Sequence, residues 1–183
     1  MIYTLPLKIA GFIVGGFLCL FGLLGMLRGT AGRDAANRFP RARTIGVVLL
    51  TIDLVWMFWL LMTMEMGEFS TFRTPLLFAL PIAYGLTLRF VNEFLAVRAL
   101  GMLALLAAEP LLDAAFFRYE PTRLLVTVFA YIIVVLGLIW VTMPYMLRDQ
   151  ILWLTRTSTR WFALHTSAIV YGLVVLGVAL LRF

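Results

Sequence analysis

The chain has 183 residues, 63% of them hydrophobic and only 13% charged, whereas soluble domains carry about a quarter charged residues. Six apolar runs of roughly 20 residues, each enough to cross ~30 Å of hydrocarbon at 1.5 Å rise per residue, would leave only loops and tails, so a separate soluble domain is excluded. Fifteen Lys+Arg against nine Asp+Glu give a net charge of +6, but the basic residues lie in short segments between apolar runs. There they orient a chain in a bilayer, and no nucleic-acid partner is expected.

The expected architecture is all-α: a polytopic integral membrane protein, residues 1–183 forming one bundle of six transmembrane helices. The first span reads from Ile9 to Leu27. It is longer than the apolar core of a signal peptide and no A-x-A-like site follows, so it is read as a retained anchor. A basic segment from Arg28 to Thr44 leads to the second span, Ile45 to Met64. The third is expected over 76–95, although Leu76 to Leu88 is its only continuous apolar part; Arg89 would snorkel toward the headgroups. The fourth is expected over 96–117, the fifth over 124–143 and the sixth over 161–181, with an interfacial helix between the last two.

Arg28, Arg33, Arg38, Arg41, Arg43, Arg89, Arg98, Arg148, Arg156 and Arg160 follow the odd-numbered spans, ten in all, against Lys8, Arg73, Arg118, Arg123 and Arg182 on the other side. The positive-inside bias puts the first group in the cytoplasm and both termini outside. A bacterial cytoplasmic (inner) membrane is expected from the compact chain and minimal loops. Phe78-Ala79-Leu80 recurs as Phe162-Ala163-Leu164 and Tyr84-Gly85-Leu86 as Tyr171-Gly172-Leu173. An inverted repeat of spans 1–3 and 4–6 would produce such echoes, but the offsets between the pairs do not agree.

Acids within hydrocarbon are the first candidates for function, since an uncompensated charge there costs several kcal/mol. Asp53 lies ~12 Å into the second span at 1.5 Å per residue. Arg98, Met102, Leu105, Glu109 and Asp113 share one stripe of the fourth, because Arg98 and Glu109 are about three helical turns apart. Two readings stand. Asp53, Arg98, Glu109 and Asp113 form an ion, proton or polar-solute route, with Pro110 loosening the backbone one turn earlier. Alternatively Asp53 is packing glue, and Asp113 pairs with Arg118 or Arg123. Arg89, Asn92, Glu93 and Arg98 make a second polar cluster, read as a solvated junction with an i,i+4 pair of Arg89 and Glu93, or as a docking surface.

Gly11 and Gly15, with Gly22 on the same face, give the clearest helix-packing signal, for a dimer, a larger complex or the chain's own bundle, since small residues four apart let membrane helices approach closely. Met62, Met64 and Met66 offer thioethers suited to Cu(I), but no histidine or cysteine accompanies them. His165 is the single histidine, which excludes a bis-histidine haem and an H-E-x-x-H zinc site. It reads as a hydrogen-bonded interfacial residue; a dyad with Ser167 or Ser158 lacks a G-x-S-x-G signature. Cys19 is the single cysteine, so no intramolecular disulfide forms. No cofactor, metal or catalytic constellation is expected. The expected function is a non-catalytic membrane subunit or scaffold packing against other membrane subunits or itself, through the glycine face of the first span and the polar stripe of the fourth, and the alternative is a small transporter or channel using Asp53, Glu109 and Asp113.

Overall fold

The computed structural model describes residues 5–91, 93–116 and 120–182. It is 91% helix, and the described residues contain no strand. Seven α-helices follow one another: α1 Leu7–Arg38, α2 Arg43–Thr63, α3 Arg73–Phe90, α4 Leu95–Ala115, α5 Leu124–Thr142, α6 Tyr145–Thr155 and α7 Ser158–Leu181. Short 3-10 turns precede α2, α3 and α5. Long apolar runs adopt this form because a helix pairs nearly all its backbone groups within itself.

Among the described residues five segments are long and apolar enough to cross a membrane: Leu7–Arg41, Arg43–Thr63, Leu95–Ala115, Pro121–Thr142 and Ser158–Leu181. They suggest a multi-pass membrane protein. The third expected span is not among them. Its helix, α3, begins and ends near charge at Arg73 and Arg89 and contains Thr74, Pro75, Pro81 and Thr87, all of which lower its hydropathy. Nor does it continue to Leu95: α3 stops at Phe90, and the chain turns through Phe94 at φ 56°, the left-handed region. Asn92 lies outside the described residues. The first helix differs in the other direction, running past Leu27 to Arg38 with a break at Gly29 (φ 44°, ψ −113°). That conformation suits glycine because no Cβ meets the following carbonyl.

The bundle is assembled from helix pairs. α1 and α7 run antiparallel: a Cβ on Gly15 would lie 2.8 Å from Gly172 O, and one on Gly172 would lie 2.9 Å from Gly15 O. α4 and α5 form an antiparallel hairpin with the same device, a Cβ on Gly101 or on Gly137 meeting the other's carbonyl oxygen at 2.9 Å. α2 runs parallel to α4, since Gly46 sits on the backbone of Leu95 and Ala96 while Leu50 packs with Leu95 and Ala99. α3 returns along α2: Thr51 Oγ1 and Tyr84 Oη are 2.9 Å apart, and Arg43 Nη2 donates to Leu88 O at 3.4 Å. No residue of α3 is buried. The main core joins α1 (Leu7, Ala10, Val14, Leu18) to the end of α4, the start of α5 and Val175 of α7. The two halves of the chain pack differently: α4 and α5 lie along each other, whereas α1 packs along α7 rather than α2.

Candidate functional site

Gly46, Leu50 and Asp53 are the buried residues of α2, spaced i, i+4 and i+7 so that they share one face. That face meets α4. Asp53 is 2% exposed, and neither of its carboxylate oxygens has a hydrogen-bond partner. On the facing helix Arg98 is half-buried, and its Nε is buried without a partner. Neither a hydrogen bond nor an ion pair links Asp53 to Arg98, and each side chain carries buried polar atoms without a partner. Packing glue would be hydrogen-bonded, because an unpartnered buried polar group costs ~1–3 kcal/mol.

The stripe expected on α4 divides. Arg98 and Asp113 are half-buried, while Glu109 is exposed. The buried residues of α4 are Leu95, Ala96, Val97, Ala99, Gly101, Ala108, Leu111, Ala114 and Ala115. Small side chains let α2 and α5 approach, which leaves the longer Glu109 outside the contact. Arg123 Nη1 donates to Ala115 O at 3.3 Å and makes no ion pair with Asp113. Arg118 lies outside the described residues. Arg89 and Glu93 are both exposed and form no ion pair with each other.

Gly11, Gly15 and Gly22 are all buried on α1. The face they define is covered within the chain: Gly15 by Gly172 and Leu176, and Gly22 by Ile169 and His165 O. The partners Gly101, Gly137 and Gly172 were not singled out from the sequence as packing residues; each is a glycine inside an apolar run, and that was the available signal.

His165 is buried in the same seam, 2% exposed. Its Nδ1 lies 2.7 Å from Trp161 O, and its ring lies 5.1 Å from that of Phe21 and 4.3 Å from that of Trp161. A Cβ on Gly25 would fall 1.7 Å from the imidazole, so the glycine makes the ring's seat. Ser167 Oγ donates to Leu164 O instead of engaging the histidine. Met62 lies in the last turn of α2, and Met64 and Met66 follow in the connection to α3. Among the described residues no three His, Cys, Asp or Glu side chains gather in a metal-binding group.

Two open grooves lie on the surface. One, of about 840 Å³, follows the outer face of α7 along Thr159, Ala163, Thr166, Val170 and Val174. The other, of about 640 Å³, follows α2 along Val48, Thr51, Ile52, Val55 and Trp59. Neither is lined by Asp53 or Glu109. No family model matches the chain, and no curated protein or solved structure is significantly similar to it.

Proposed function

We propose that this protein is a non-catalytic integral membrane subunit that associates with other membrane helices through the outer face of α7. The observation that carries the reading is the two-sidedness of α7. Gly172, Val175 and Ala179 are buried, with Gly172 against α1, while Thr159, Ala163, Thr166 and Val170 on the other side are exposed. Thr166 is eight residues into the helix, ~12 Å at 1.5 Å per residue. Small and hydroxyl-bearing residues at that depth favour a neighbouring helix, because lipid provides no hydrophobic incentive and packing and hydrogen bonds carry association. The glycine face of α1 is already occupied by α7, so the association surface moves from α1 to α7.

The reading includes six crossings in a bacterial cytoplasmic membrane. α2 and α4 run parallel, which requires a return between them, and α3, with 18 residues, extends ~27 Å at 1.5 Å per residue. Its exposed side chains include Leu76, Phe78, Ile82 and Leu86, which lipid would cover. The arginine-rich end faces the cytoplasm and the termini face out. Photo-crosslinking from position 163 or 166 tests the association: adducts should form from these positions and not from position 82 on α3. Equal yields at all three sites would contradict it.

Asp53 favours a second reading, a small transporter for an ion, proton or polar solute. Its support is the unpartnered carboxylate in the α2/α4 seam, with the half-buried Arg98 on the facing helix. Under this reading Asp53→Asn abolishes flux in reconstituted vesicles. Unchanged flux would remove the reading.

A further inference from the structure

We propose that the junction of α6 and α7 is a binding site for the headgroups of anionic phospholipids. The inference rests on the membrane reading of the apolar helices and is independent of the association through α7. α6 has 11 residues, about 16 Å at 1.5 Å per residue, too short to cross the ~30 Å hydrocarbon layer. Leu152 and Trp153 on it are 53% and 58% exposed. The Arg160 guanidinium lies over the Trp153 ring, 4.4 Å from its centroid, and Nη1 donates to Trp153 O at 3.3 Å. Arg156, between them in sequence, is exposed.

α6 is tied to its surroundings. Thr155 Oγ1 donates to Asn37 Oδ1 at 3.0 Å, which brings the basic arm of α1 beyond Gly29, with exposed Arg38, to the same place. Trp140 Nε1 donates to Gln150 Oε1 at 3.1 Å and fixes the other flank to α5. Among the described residues Arg38, Arg156 and Arg160 form no ion pair, and the nearby Asp149 is engaged by Arg148 at 2.8 Å. A fixed shelf therefore presents guanidinium groups without carboxylate partners beside an exposed indole and leucine. An indole and a leucine suit the boundary between headgroup and acyl chain, and the guanidinium forks suit phosphate oxygens. Phosphatidylglycerol-type lipids combine these chemistries, and their net charge complements an end of the bundle that collects ten of the chain's arginines.

The test is electron spin resonance of the full chain in phosphatidylcholine vesicles doped with spin-labelled phosphatidylglycerol or phosphatidylcholine. The native protein should immobilise labelled phosphatidylglycerol preferentially. An arginine near an anionic surface contributes about fivefold, so Arg156→Gln with Arg160→Gln should lower the preference by at least about that factor. Arg123→Gln, at the opposite end, should leave it unchanged. Should the double variant fail to insert, Arg156→Gln alone carries the test, because that side chain is exposed and makes no hydrogen bond. Equal immobilisation of both lipids by the native protein, or a preference that survives the substitutions, overturns the proposal. Displacement by inorganic phosphate at the same molar excess also overturns it, by assigning the shelf to free phosphate.

Discussion

The indole of Trp161 donates its Nε1 hydrogen to Gly25 O at 2.9 Å, joining α7 to α1 one turn before the helix breaks at Gly29. In an unbroken helix that carbonyl would accept from the amide of residue 29. A carbonyl oxygen has two lone pairs, so the tryptophan adds a donor from the neighbouring helix beside that one. Trp161→Phe keeps the ring but removes the donor. It should lower stability by about 1 kcal/mol, measured by denaturant titration in detergent, whereas an unchanged midpoint would make the bond incidental.

Close approach of the paired helices makes a graded prediction. Gly15→Ala and Gly101→Ala place a methyl group against a carbonyl oxygen of the partner helix, at 2.8 and 2.9 Å. Each should destabilise by about 1–3 kcal/mol. Gly16→Ala and Gly177→Ala meet nothing within 4 Å and should be neutral or slightly stabilising. Thermal unfolding of the four variants checks the order.

Gly29 itself has open space around an added Cβ, yet its φ of 44° is the strained region for other residues. Gly29→Ala should therefore cost about 1–2 kcal/mol by conformation alone, or the helix should straighten and carry Asn37 away from Thr155. Spin labels on the α1 arm and α6 distinguish the two: a longer and broader distance distribution marks straightening, and an unchanged distribution with lower stability marks retained strain.

Asp53 predicts a gain. Its oxygens are buried without partners, so replacement by an apolar side chain removes a desolvated polar group. Asp53→Leu should raise stability by about 1–3 kcal/mol. A loss of similar size would mean that the carboxyl group has a partner that holds α2 to α4.

Much of the helical arrangement could be read from the chain because apolar run length reports directly on it; the starts of α2, α4, α5 and α7 lie within about three residues of expectation. The α1 glycine face was also readable from spacing. Its occupant was not, since α7 lies some 150 residues away in sequence. For α4, periodicity places Arg98, Glu109 and Asp113 on one stripe but cannot say how far neighbours cover it; Arg98 and Asp113 are half-buried and Glu109 is exposed. The end of α3 was hidden because neither Val91 nor Phe94 is a residue that punctuates a helix as glycine or proline does. The break at Gly29 was hidden because one glycine among many gives no distinguishing signal.

Native mass spectrometry of the protein released gently from its own membrane tests the central claim most directly. The membrane-subunit reading predicts a reproducible complex, with other subunits or with further copies of the chain, that dissociates when Ala163→Phe and Thr166→Leu fill the outer groove of α7. A bare monomer under every gentle extraction, or a complex indifferent to those substitutions, would contradict it.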